Sequence, residues 1–362
     1  MKKFLIFSKS YWNETPRLRH QVALLLLDHG NQVVFFEKPD FNFRRSKTKP
    51  MIIESTATDI RRTKQLVHHQ LRIFSLIRYL NAEYEKKSIK NSINVKKESN
   101  SIIINFNYDY YFLRDLFPEN KIISIINDDF VAQAKVISGR HVLSSLEITC
   151  KKSDAVFVVS YPLARQVENW CEPQIFFPWA QSRYIKPDNL CKRDSILIWA
   201  HINDRLDFDL IRKFAVRREN YKIDVFGPIS PNIKEIVECI NGTFKQVRFY
   251  GSRDLQAINF DKYFCSVMPY RPSAPGVGAT SAANKTFYLL SMGMPLIAHG
   301  MPDFINNRSI FKTSNLSDFI EAADFCFARF QSLQNDIEEL VNCNQAKDRY
   351  DQIMTIVEKN DL

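Results

Sequence analysis

Residues 281–302 read SAANKTFYLLSMGMPLIAHGMP. The pair Asn284-Lys285 opens an apolar run, Gly293 and Pro295 interrupt it, and a second apolar run, PLIAHG, follows. The first run has the character of a short buried helix. The second, bounded by Gly and Pro, has that of a buried strand. Upstream lie the strand-like FCSVMPY (264–270) and the glycine-bearing loop PSAPGVGATS (272–281). Strand, loop, helix and strand in this order form a βαβ unit of a parallel sheet. A lysine at the head of such a helix stands where a cation and the helix's first N–H groups coincide.

The same alternation extends in both directions. At the start, KKFLIFS reads as a strand and RLRHQVALLLLDHGNQ as a helix, with Leu18, Val22, Leu25 and Leu26 at helical spacing; QVVFFEKP is a second strand ended by Pro39. Ile- and Val-rich runs at 101–107, 121–128 and 155–160 have the composition of strands buried on both faces. Residues 1–178 are therefore expected to form one doubly wound α/β domain. After the Pro-containing connection FFPWAQSRYIKPDN the pattern restarts: SILIWAH, LDFDLIRKFAVRR, YKIDVFGPI, NIKEIVECI and KQVRFYG alternate strand and helix. A second doubly wound domain is expected over 185–345. A charged helix over 346–362 is expected to pack back on the first domain. At 362 residues the chain is long enough for two cores.

The formal net charge of +10 is concentrated. Residues 41–97 hold 14 basic and 4 acidic side chains. Within them, residues 59–80 place Ile60, Val67, Leu71, Phe74 and Ile77 at helical spacing, with Arg61, Arg62, Lys64, Arg72 and Arg78 elsewhere. This predicts a basic amphipathic helix, either packed on the core or lying on an anionic membrane. No run is long enough for a transmembrane helix, and the opening FLIF is too short for a signal-peptide core. Seven cysteines without CxxC spacing read as reduced thiols of a cytoplasmic protein. No nucleic-acid motif accompanies the basic stretch, so no nucleic-acid partner is expected.

With these elements in place, the chain resembles the GT-B glycosyltransferases. The resemblance rests on Asn284-Lys285 followed by Gly293 and Pro295, and on the strand ending MPY before them. It also rests on AHINDRLDFDLI (200–211), on the opening βαβ, and on EITCKKSDAVFVVSYPLARQV (147–167). Within that fold the sequence is most similar to the inverting glucuronosyltransferase of xanthan assembly. There a tyrosine stands fifteen residues before a lysine, as Tyr270 and Lys285 do here, and INDDF offers Asp128 and Asp129 for its acidic step.

The resemblance implies two Rossmann-like domains facing a central cleft and transfer of a sugar from a nucleotide-sugar, a UDP-sugar by expectation, without cofactor or metal. The acceptor would be a glycan or a lipid-linked saccharide of a bacterial surface polysaccharide, met at the inner face of the cytoplasmic membrane. Lys285 would hold the donor diphosphate, with Asn284, Tyr270, Arg205, Gly278 and Tyr288 around the nucleotide. Asp129 would act as base with Asp128 orienting it, and Arg17, Arg19 and His20 would meet the acceptor, at a phosphate group. Retaining relatives carry paired glutamates where this chain has Thr280 and Tyr288, which points to inversion. Plainer readings stand beside these: an exposed first-turn lysine for Lys285, a helix cap for one aspartate, a surface arginine for Arg205. Other functions in view are a GT-B-like epimerase or phosphorylase, and a non-catalytic basic binding module.

Overall fold

The computed structural model describes residues 1–14, 17–41, 58–134, 136–180, 182–188, 191–253 and 257–359. Part of the basic stretch, 42–57, lies outside them. The chain divides into two compact units, one of residues 1–177 with 350–362 and one of 178–349.

The first unit contains β1 (Lys3–Phe7), β2 (Gln32–Phe36), β3 (Asp40–Phe41), β4 (Thr58–Arg61), β5 (Lys64–Gln65), β6 (Ile102–Asn105), β7 (Ile122–Ile126), β8 (Ala155–Val158) and β9 (Pro173–Ile175). Seven of these form one sheet in the order β4-β2-β1-β6-β7-β8-β9, and β3 pairs with β5. Every pairing is parallel. Phe4, Leu5, Ile6, Ile103 and Ile104 are fully buried, as central parallel strands covered on both faces must be. The helix Ala346–Glu358 enters this unit from Tyr350 onward. The Tyr350 ring stacks on His29 with centroids 3.8 Å apart, and Lys121 Nζ donates to the carbonyls of Ile356 and Val357.

The second unit contains β10 (Ser195–Trp199), β11 (Lys222–Phe226), β12 (Val247–Gly251), β13 (Tyr263–Pro269), β14 (Leu296–His299) and β15 (Ile310–Thr313), in the order β12-β11-β10-β13-β14-β15. All pairings are again parallel. In both sheets the strand order runs outward from the first strand and then reverses, so a crevice opens at the carboxyl ends between β1 and β6 and between β10 and β13. Two glycines hold the second crevice's surroundings. Gly300, at φ 77°, sits where a Cβ would fall 2.3 Å from the Tyr270 carbonyl oxygen. Gly293, at φ 73°, turns the chain against Pro187, where a Cβ would fall 2.2 Å from Cγ.

The basic amphipathic helix expected over 59–80 is not formed. Residues 58–61 are β4, 64–65 are β5, 69–71 form a single 3-10 turn, and the helix begins only at Ser75, running to Ser92. The reason is Arg72, which the spacing placed on a polar face. It is buried, and it donates to the Val67 carbonyl (3.0 Å), Asp109 (2.9 Å), Gln65 (2.9 Å) and Glu85. Asp109 in turn accepts from Lys9 at 2.6 Å. Burial opposes the charge on Asp109, but Lys9 and Arg72 beside it carry its carboxyl down to about 2. Burial likewise works against the Arg72 guanidinium, and Glu85 and Asp109 outweigh it. A continuous helix through 59–80 would tear this cluster apart.

Removing one member of a buried ionic cluster strands its partners, at a cost of about 3–5 kcal/mol. Arg72→Ala is therefore expected to lower the first unit's unfolding free energy, measured by urea denaturation, by that amount, while Arg61→Ala, whose contact with Asp59 is exposed, stays within about 0.5 kcal/mol of the parent. Equal effects of the two changes would show that the cluster does not order residues 64–85.

Candidate active site

In the second unit the reversal of strand order lies between β10, which ends at Trp199, and β13, which ends at Pro269. Tyr270 follows β13 directly, its backbone bridged to Leu206 and bonded to His299. Lys285 is the N-cap residue of a helix of only six residues, Thr286–Ser291. The first-turn placement expected from the sequence is thus displaced by one residue, and so short a helix adds little dipole; the positive charge is that of the lysine itself. Its Nζ donates to the Trp199 carbonyl and lies 3.4 Å from the Tyr270 hydroxyl, so the side chain spans the crevice from one strand end to the other.

Arg205, in the loop after β10, lies over the same ring. Its Cζ is 5.7 Å from the Tyr270 centroid, and Lys285 Nζ is 5.6 Å from it. The Arg205 Nε is buried without a hydrogen-bond partner. Among the described residues neither cation has a carboxylate within ion-pair distance. Two half-buried cations flanking one tyrosine, with donor capacity left over, are a site for an anion. Tyr288 enters through Trp199, whose ring it meets edge-on at 5.5 Å. The remaining two expected residues are not drawn in. Asn284 is exposed, and among the described residues no hydrogen bond or ring contact ties it or Gly278 to the three. A Cβ on Gly278 would meet nothing within 4 Å, so no close approach by this chain requires a glycine there. Thr280 donates to the Gly276 carbonyl at 3.0 Å.

In the first unit, Asp128 and Asp129 follow β7 and are both half-buried. Asp128 Oδ1 accepts from the Asp129 N–H at 3.0 Å and from the Gln133 amide; Asp129 Oδ1 accepts from the Ala132 N–H at 2.9 Å. One oxygen of each therefore closes the local turn, which is the capping role, and the other oxygen has no bond among the described residues.

The three acceptor candidates separate. Both nitrogens of His20 are taken: Nδ1 accepts from the Arg17 N–H at 3.0 Å, and Nε2 donates to the Tyr11 carbonyl at 3.0 Å. Its ring is buried, stacked on Phe35, and burial pushes its pKa down, so it is a neutral structural imidazole with no nitrogen left for a ligand. Arg17 is exposed and pairs with Glu14 at 3.2 Å. Arg19 is buried as well, but no side-chain bond is made to it among the described residues.

Sequence reasoning missed the Trp199 carbonyl, because a backbone oxygen has no signature in residue type. It also missed the Lys9–Asp109 pair beside the first crevice, whose members stand 100 residues apart. Among the described residues no group of three or more His, Cys, Asp or Glu is placed to hold a metal, and no helix is long and apolar enough to cross a membrane. All seven cysteines are free thiols.

The fold recurs in solved structures. The chain superposes on a sucrose-phosphate synthase from Thermosynechococcus elongatus with a TM-score of 0.72 at 13% identity, covering 99% of each chain. On Anabaena HepE, solved in complex with UDP, the TM-score is 0.72 at 9% identity, over 99% of this chain and 100% of that one. On WaaG, a glycosyltransferase of lipopolysaccharide biosynthesis, it is 0.65 at 13% identity, over 98% and 99%. The chain has the GT-B fold. By sequence, no family model and no curated protein matches it.

Proposed function

We propose that the protein is a glycosyltransferase that moves a sugar from a UDP-sugar to a glycan or lipid-linked acceptor, with inversion at the anomeric carbon. The observation that carries this reading is the pair of cations, Lys285 and Arg205, set around Tyr270 at the second sheet's crevice, with no carboxylate among the described residues to neutralise them. A nucleotide-sugar leaves as a diphosphate, and charge grows on the leaving oxygen as its bond to the anomeric carbon breaks. Cations fixed beforehand at that oxygen stabilise the transition state more than the ground state. The acceptor hydroxyl oxygen forms the new bond and its proton passes to a carboxylate. The free oxygen of Asp129 is given that role, with Asp128 holding the turn. HepE, which shares the fold, was solved in complex with UDP, and WaaG is a glycosyltransferase involved in lipopolysaccharide biosynthesis. Inversion is favoured because the positions of the paired glutamates hold Thr280, bonded to the loop, and Tyr288, packed on Trp199.

Lys285→Ala is expected to weaken UDP binding at least tenfold by calorimetry and to reduce turnover with it. Asp129→Asn is expected to abolish transfer at unchanged UDP affinity. Proton NMR of the first product formed from an α-linked donor should show a β-linkage. UDP affinity indifferent to Lys285 would remove the donor site, and an α-linked product would replace inversion by retention.

A membrane surface as the place of reaction is supported by a different feature. Leu71, Ile73, Phe74, Leu76, Tyr79 and Leu80 are all exposed within ten residues, Phe74 by 66% and Leu76 by 65%. Elsewhere exposed apolar side chains are mostly scattered. No Asp or Glu occurs between Asp59 and Glu83, while Arg61, Arg62, Lys64 and Arg78 do. An apolar ridge with only basic flanks suits an anionic bilayer, where each cation near the surface contributes about 1 kcal/mol. The protein is expected to co-sediment with vesicles containing phosphatidylglycerol and not with pure phosphatidylcholine, and Phe74→Asp with Leu76→Asp is expected to abolish this. Binding that ignores lipid charge, or survives the double change, would contradict a membrane role for the ridge.

A further inference from the structure

The first unit contains a cation with no evident structural use. Arg19 lies in the first turn of the helix Leu18–Asp28, directly after the loop that leaves β1. It is only 7% exposed. Its Nε is buried without a partner, and among the described residues no carboxylate lies within ion-pair distance of the guanidinium. Burial, followed by the like charge of Arg17, presses its pKa down to about 10; Glu14 and Asp128 act in the other direction without forming a bond. A buried guanidinium left in this state costs stability. Among the described residues no acceptor recovers that cost, and the neighbouring His20 and Arg17 are already committed.

The position is specific. The helix has eleven residues; the N–H groups of His20 and Gln21 donate to the Arg17 carbonyl, while those of Leu18 and Arg19, the first two, have no bond among the described residues. It is the first helix after the first strand of a sheet whose order reverses at β1, where the carboxyl ends of the strands open a crevice. A helix N-terminus and a buried, unpaired guanidinium are independent features, and both call for the same ligand, a compact oxyanion.

We infer that Arg19 and the N-terminus of the helix Leu18–Asp28 form a phosphate-binding subsite, which holds a phosphate group carried by the acceptor. The fork of the guanidinium meets two phosphate oxygens and the helix N–H groups meet a third. Assigning the phosphate to the acceptor rests on the transferase reading above; the anion site does not. A phosphate held here stands on the same sheet edge as Asp128, whose charge already acts on Arg19. An acceptor bearing phosphate is thereby distinguished from a neutral sugar.

The test uses the full chain with inorganic phosphate and UDP as separate probes, against chloride at matched ionic strength. The wild-type melting temperature should rise with phosphate, also in the presence of saturating UDP. Arg19→Gln removes an unpaired buried charge, so without ligand it should melt at the same temperature or higher. It should lose at least tenfold in phosphate affinity by calorimetry and keep its UDP affinity within twofold. Arg19→Lys should recover part of the phosphate binding. A wild type that ignores phosphate, or an Arg19→Gln variant that still responds to it, would overturn the site. A ligand-free melting temperature several degrees lower in Arg19→Gln would make the residue structural and overturn the inference as well. Loss of UDP affinity in the variant would overturn the assignment to the acceptor. Failure of the transferase reading would appear separately, as absence of UDP binding to the wild type.

Discussion

The ammonium of Lys285 reaches from the Trp199 carbonyl at the end of β10 to the Tyr270 hydroxyl just past β13. Those two strands are neighbours in the sheet, yet β11 and β12 separate them in the chain. Such a span is possible only at the reversal of strand order, where the connections leave to opposite sides and the strand ends stay open. The lysine's partners are neutral oxygens, and among the described residues Arg205 across the ring is likewise without a carboxylate. Among the described residues positive charge is gathered there and left unneutralised, and the proposed donor site rests on that arrangement.

The first unit uses the same topology with different chemistry. Its crevice edge carries two aspartates after β7, an arginine on the helix after β1 that is buried and unpaired among the described residues, and an ion-paired cluster of Lys9, Asp109, Arg72 and Glu85. The paired and unpaired cations do different work. Arg72 satisfies its donors within the fold and pins residues 64–85 to the strand ends, which sets the exposed ridge from Leu71 to Leu80 beside the crevice edge. Among the described residues Arg19 has no side-chain hydrogen bond, and the proposed phosphate subsite rests on that.

The parallel sheets were legible because burial on both faces demands runs such as IIIN and IISII, which few other structures tolerate. The short edge strands were less legible. Pro173–Ile175 and Ile310–Thr313 have no such run, and their pairing is decided by neighbours far away in sequence. Residues 59–80 misled because apolar side chains at helical spacing are equally compatible with an irregular segment. Arg72 decides between the two, and its partners Asp109 and Glu85 were invisible as partners. In the site, Lys285 and Tyr270 were found through a spacing, Arg205 through its place after a strand. His20 was misassigned because a histidine near a crevice gives no sign that both its nitrogens bond to backbone.

The most direct measurement is a crystal structure of the protein with UDP bound. The account predicts the diphosphate within hydrogen-bond distance of Lys285 Nζ, at the carboxyl ends of β10 and β13, with the Arg205 guanidinium turned toward it. A diphosphate bound away from that crevice, with Lys285 still joined only to the Trp199 carbonyl and Tyr270, would contradict it.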